Sequence, residues 1–190
     1  MSKGRDSGMP AVEQWESYFD VDGVLDFLGC RDVGGDVIEF GCGYGTFTIP
    51  LAQRIHGRVF ALDIDPLMVA ATAARTLQAD LKNIIVEQRD FVSQGCGREP
   101  SSADLVLLFN ILHIEDPVSL LKEAYRVLRI GGNVAIIHWI HDARSPRGPS
   151  LDIRPKTEQC RDWGEQAGLS WVRDQALPNS PWHWGMVLEK

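Results

Sequence analysis

Five near-continuous apolar runs, separated by stretches of helical periodicity, constrain this chain more than any single residue does. Asp36 to Phe40, Arg58 to Leu62, Asn83 to Glu87, Ala103 to Phe109 (ADLVLLF) and Asn133 to Trp139 (NVAIIHW) have little polar alternation. Such runs belong to strands covered on both faces, the mark of parallel strands flanked by helices. The intervening stretches supply the helices. Thr46 to Ile55 has helical spacing, and Pro66 to Gln78 is alanine-rich with a proline suited to a first turn. Pro117 to Leu128 places Leu120, Leu121, Ala124 and Leu128 on one face and is stopped by Gly131 and Gly132. Alternation of this kind requires right-handed crossovers and a doubly wound α/β sheet.

The two ends complete the pattern. After a polar leader, residues 11 to 28 place Val12, Trp15, Phe19, Leu25 and Leu28 at helical spacing interrupted near Gly23, which predicts one or two short amphipathic helices within an N-terminal segment of residues 1–30. Toward the other end, Lys156 to Gln166 reads as a helix. Trp171 to Leu177 and His183 to Glu189 read as strands with no helix between them, hence an antiparallel hairpin at a sheet edge. All of this fits one domain over residues 1–190. One segment breaks the rhythm: residues 140–156, IHDARSPRGPSLDIRPK, are too long for an ordinary connection and read as a substrate loop.

Composition narrows the function. The net charge of −7 gives a nucleic-acid partner no electrostatic support. No run has the length of a membrane span and the amino terminus has no apolar signal core, so cytoplasmic residence is expected. Cys30, Cys42, Cys96 and Cys160 form no CxxC pair and the histidines no HExxH motif, so no metal site is expected.

The ligand is written in VIEFGCGYGT, residues 37–46. Gly41, Gly43 and Gly45 follow the first strand at the switch point, where ligands of doubly wound sheets bind. Asp63 ends the second strand, 22 residues beyond Gly41, where a carboxylate can accept from both hydroxyls of a ribose. Three features count against a phosphate ligand. The sixth place of a dinucleotide GxGxxG is occupied by Thr46, no GxxxxGK[ST] occurs, and Glu39 would repel a pyrophosphate. A ligand with an adenosine, an ammonium and a sulfonium meets all three conditions, and S-adenosylmethionine is such a ligand.

At this point ExGxGxG (Glu39 to Gly45), ALDIDPLM (Ala61 to Met68), RDF (Arg89 to Phe91), ADLVLLFNILHIEDP and EAYRVLRIGGNVAI together resemble the successive motifs of class I S-adenosylmethionine-dependent methyltransferases. The small single-domain bacterial members related to quinone biosynthesis are the nearest likeness. The resemblance implies a Rossmann-like, seven-stranded, mostly parallel sheet with an antiparallel C-terminal hairpin. It implies that Gly41, Cys42 and Gly43 meet the methionine part of the cofactor and Asp63 the ribose. Ile64 and Met68 would pack near the adenine, Asp90 accept from its amino group and Phe91 donate a backbone amide to it, while Asn110 and Ile111 would border the sulfonium. Tyr18 and Tyr44 are read either as closing over the cofactor or as packing.

Methyl transfer from a sulfonium needs a base only when the nucleophile arrives protonated; His113 in NILHIEDP is the first candidate, with His138 and His141 at the end of the fifth strand behind it. The [DN]PP[YF] motif of amino-group methylation is replaced by NILH. The arginine-rich loop, through Arg147 and Arg154, suggests a small anionic acceptor. Two other functions fit parts of the pattern: a cofactor-binding module without catalysis, and a nicotinamide-dependent oxidoreductase. The acceptor molecule and oligomeric state are not encoded in any motif.

Overall fold

The computed structural model describes residues 8–31 and 33–190, so the leader up to Ser7 lies outside the described residues. In chain order the elements are α1 (Val12–Glu16), α2 (Val21–Phe27), β1 (Val37–Phe40), α3 (Thr48–Ala52), β2 (Val59–Asp63), α4 (Pro66–Gln78) and β3 (Ile84–Gln88). They continue with α5 (Phe91–Gln94), β4 (Ala103–Phe109), α6 (Pro117–Val127), β5 (Leu128–Trp139), α7 (Thr157–Gln166), β6 (Ser170–Ala176) and β7 (His183–Glu189). The strands form one sheet in the order β3-β2-β1-β4-β5-β7-β6. β1 to β5 pair in parallel, and β7 joins β5 and β6 antiparallel. This is the expected Rossmann-like sheet with its antiparallel terminal hairpin. Because the chain runs outward from β1 to β3 and then returns to β4, the crevice for a ligand opens at the carboxyl ends of β1 and β4.

Strand periodicity sorts the core into two layers. Ile38, Phe40, Leu62, Val106 and Leu108 point to the face covered by α5, α6 and α7, with Leu120, Leu121 and Ala124 from α6 packed on them. Val37, Val59, Ala61, Leu105 and Leu107 point to the other, covered by Val24 and Leu25 of α2 and Leu51 and Ala52 of α3. Burial on both faces is why these strands carry no polar alternation. Two helices begin the same way: Asp65 accepts from Leu67 N–H at 2.9 Å before Pro66, and Asp116 from Ser119 N–H at 3.0 Å before Pro117. Side-chain caps satisfy amides that the helix itself leaves unpaired.

The structure corrects the boundaries in four places. The N-terminal helices break at residues 17–20, not at Gly23, which lies inside α2 and donates its N–H to the capping Asp20 carboxylate at 3.1 Å. α3 is shorter than expected, because the backbone needs positive φ as far as Gly45 (+74°). α6 stops one residue early, since Leu128 is already extended (ψ 142°) and starts β5 through the two glycines. The four-residue α5 was not foreseen; Asp90 caps it.

Candidate cofactor and acceptor site

Everything at the strand ends is built around the turn after β1. Gly41, Gly43 and Gly45 have φ of +83°, +55° and +74°. Gly41 and Cys42 donate their N–H groups to Leu62 O at 2.8 and 2.9 Å, which ties the turn to β2. Thr72 of α4 donates its hydroxyl to Gly43 O at 2.8 Å and lies where a Cβ on Gly45 would approach to 3.1 Å. Positive φ and close approach of a side chain together require glycine there. Gly45 is therefore behind the turn, and of these three Gly41 and Gly43 face the cavity at the strand ends.

Asp63 holds the same turn from the other side. One carboxylate oxygen accepts from Gly43 N–H at 2.9 Å and the other from Asp65 N–H at 3.0 Å. The residue is 9% exposed, and burial raises its carboxyl above the ordinary value against those hydrogen bonds. Glu39 sits deeper. It is buried in β1, accepts from the Thr48 hydroxyl at 2.5 Å, and burial, with the Asp63 charge adding to it, pushes its carboxyl up to about 8.

These groups open on a cavity of about 230 Å³ at the switch point. Cys42, Ile64, Met68 and Phe91 border it on the β2 and α5 side; Asn110, Ile111 and His113 border it beyond β4. Asn110 has a positive φ of +55°, a conformation that costs a non-glycine residue about 1 kcal/mol. Both polar atoms of its amide are buried with no hydrogen-bond partner among the described residues. Strain and an unpaired amide at one residue mark a place shaped for a ligand. A second groove, of about 350 Å³ between Lys156, Asp174 and Trp184, contains none of these groups.

Other residues from the sequence reading stand off the cavity. Asp90 does not border it; its side chain accepts from Ser93 N–H at 3.2 Å as the cap of α5. Tyr44 donates to Pro10 O at 2.8 Å, and Tyr18 packs edge-on against Trp139 with centroids 5.3 Å apart. Met9 and Trp15 reach the cavity instead. Trp15 belongs to a chain of edge-on rings, Trp15, Phe19, Phe47 and Phe109, with centroids 4.8 to 5.1 Å apart, that seats α1 over the end of β4. Only the apolar spacing of Trp15 and Phe19 hinted at this in the sequence.

The arginines of the 140–156 loop separate into different duties. Arg144 pairs with Asp142, and Arg147 donates to Gly8 O while bordering a small side pocket of about 50 Å³ with Trp15, Trp139, Asn110 and His113. Arg154 is 6% exposed and faces inward. Its guanidinium donates to the carbonyls of Pro149 (2.7 Å), Ile140 (2.9 Å), Asp142 (3.2 Å) and Arg147 (3.3 Å), and to the Ser145 hydroxyl. It folds the loop so that Gly148, at φ +113°, lies against the Trp139 ring. Arg154→Ala would leave several buried carbonyls unpaired, and a loss of about 3 kcal/mol in urea unfolding is expected. A loss below about 1 kcal/mol would mean that the loop does not depend on it.

The side-chain set fits S-adenosylmethionine. Asp63 has lone pairs for a ribose, Glu39 can neutralise a cation, and the Asn110 amide lacks a partner. Comparison with known proteins agrees. Residues 37–132 match a family described as a methyltransferase domain. Over 110 residues the chain is 32% identical to a probable S-adenosylmethionine-dependent methyltransferase of Mycolicibacterium smegmatis, covering 57% of this chain and 40% of that one. It is 28% identical over 161 residues to the ubiquinone biosynthesis O-methyltransferase of Pseudomonas fluorescens, covering 74% and 66%. The chain thus spans two fifths to two thirds of the length of these relatives. Among solved structures, an S-adenosylmethionine-dependent methyltransferase from Aquifex aeolicus superposes with a TM-score of 0.80 at 23% identity over 90% of both chains. The [4+2]-cyclase SpnF does so at 0.73 and 15%, over 90% of this chain and 80% of that one. At such identities the structural likenesses establish the fold. The match over residues 37–132, on a sheet of this order, makes the chain a member of the S-adenosylmethionine-dependent methyltransferase family.

Proposed function

We propose that this chain transfers a methyl group from S-adenosylmethionine to a small-molecule acceptor. The observation that carries the reading is the pair of buried carboxylates, Glu39 and Asp63, at one strand-end cavity. One suits a ribose, and the other, once ionised, suits a cation. When bound, the cofactor supplies an electrophilic methyl group on a sulfur that departs neutral. The protein's part is then to position the acceptor and exclude water. Gly41, Cys42 and Gly43 would hold the methionine part, Ile64, Met68 and Phe91 the adenine, and Asn110, Ile111 and His113 would border the methyl group. Asp90 would act on the adenine only through the position it gives α5.

The acceptor would enter through the side pocket between Trp15, Trp139 and His113. Its small volume favours a slender acceptor or a single projecting group. For an anionic acceptor Arg147 is the loop arginine that borders the side pocket, where it also donates to Gly8 O, while Arg154 is turned onto other backbone carbonyls. Titration calorimetry tests the cofactor assignment: S-adenosylmethionine should bind one to one and NAD(H) should give no heat. NAD(H) binding without S-adenosylmethionine binding would favour an oxidoreductase instead. Binding of the cofactor without methyl transfer is the second reading, since a fold does not by itself fix a reaction, and this one is shared with the [4+2]-cyclase SpnF.

A further inference from the structure

The strand-end cavity and the side pocket share a wall. Gly8, Met9, Trp15, Asn110 and His113 border both of them. A methyl group passing from a donor in the first to an acceptor in the second has to cross this boundary, so the sulfur that carries it would lie beside these five residues. Three carboxylates border the strand-end cavity, and among the described residues none belongs to the shared wall. Glu39 lies deep in β1 on the Thr48 hydroxyl, Asp63 accepts from Gly43 and Asp65 N–H, and Asp65 caps α4. S-adenosylmethionine has two cationic centres, an ammonium and a sulfonium. Glu39 suits one of them, and the one at the shared wall has no carboxylate beside it. Gly8 and Met9 carry no charge there, both polar atoms of the Asn110 amide are buried, and Nδ1 of His113 stands 3.3 Å from Nε2 of His138. Trp15 brings the largest π surface of the five.

We propose that the ring of Trp15 recognises the sulfonium by a cation–π contact, and so favours the charged methyl donor over its neutral product. The inference rests on S-adenosylmethionine occupying the strand-end cavity. Indole is the best side-chain partner for a cation over its face, and the attraction grows where water is excluded. The ring is held before any ligand arrives. Phe19 meets it edge-on at 5.0 Å, Phe47 and Phe109 continue the chain of rings to the end of β4, and the adjacent Glu16 pairs with Arg75 of α4 at 2.6 Å. A side chain fixed in advance adds little ordering cost to binding. Because the charge on sulfur fades as the methyl leaves, the contact is stronger before transfer than during it. Trp15 therefore tightens donor binding rather than raising kcat, and loses its hold once the sulfur is neutral.

Fluorinated tryptophans placed at position 15 alone test this by calorimetry, since fluorine withdraws π density with little change of shape. Affinity for S-adenosylmethionine should fall stepwise with added fluorine, by about tenfold from none to four, while affinity for S-adenosylhomocysteine should change by less than about twofold. Trp15→Leu should cost S-adenosylmethionine about tenfold and S-adenosylhomocysteine less than about threefold, with Trp15→Phe between wild type and Leu. A flat S-adenosylmethionine series, or equal falls for the two ligands, overturns the inference and leaves Trp15 as packing. If Trp15→Leu does not fold, the fluorinated chains, which keep the ring, decide. Wild type that binds no S-adenosylmethionine overturns both this role and the cofactor reading, whereas binding that is indifferent to fluorine removes only the role of Trp15.

Discussion

Replacing Asp63 with alanine is expected to weaken S-adenosylmethionine binding by about thirtyfold, on the order of 2 kcal/mol. The side chain has two duties. It would accept from the ribose hydroxyls, and it already accepts from Gly43 and Asp65 N–H, so its loss also loosens the turn that would contact the methionine part. Asp63→Asn keeps one acceptor oxygen and should lose less. Calorimetry of the three proteins orders them wild type, Asn, Ala; equal affinities would mean that the ribose is held elsewhere.

Binding should also release a proton from Glu39. With its carboxyl pushed up to about 8, Glu39 is mostly protonated at pH 7 in the free protein. A cationic ligand nearby favours the ionised form, so it lowers that value and expels the proton. Affinity should therefore rise with pH between about 6 and 8, by up to tenfold per unit, and level off above. S-adenosylhomocysteine, which lacks the sulfonium, should release less. Stability runs in the opposite sense. In the unfolded chain Glu39 ionises near 4.5, while folding holds it protonated until about 8, so stability falls as pH rises through that window. Glu39→Gln should remove this fall, gaining a few kcal/mol relative to wild type at pH 8, and should bind the cofactor with no proton release. Calorimetry in buffers of differing ionisation enthalpy reads the proton directly; no exchange at pH 7 would place the cation away from Glu39.

That behaviour shows where sequence reading reaches and where it stops. The parallel strands and the switch point were legible because strands buried on both faces must be apolar throughout, as in Leu105 to Phe109, and because glycines and a strand-end aspartate at a fixed spacing have few uses. Glu39 was legible as a carboxylate at the switch point. That it is an acid before the ligand arrives depends on its depth in β1 and on Thr48, neither of which motif spacing records. The arginines of the 140–156 loop read alike as anion receptors. The fold turns Arg154 inward onto carbonyls and sets Arg147 at the rim of the small side pocket, a distinction set by loop conformation. Trp15 comes to the cavity from an element far away in sequence, through a chain of rings, and the sequence does not show that His138 at the end of β5 lies 3.3 Å from His113.

The most direct test is to incubate the protein with S-adenosylmethionine labelled in its methyl group and a filtered small-molecule extract. Methyl transfer to a small acceptor predicts label in a compound that passes the filter, lost when Asp63 is replaced by alanine at cofactor concentrations below the variant's Kd. Tight cofactor binding with no label leaving it, across extracts and across pH 6 to 9, would contradict transfer and leave a binding module.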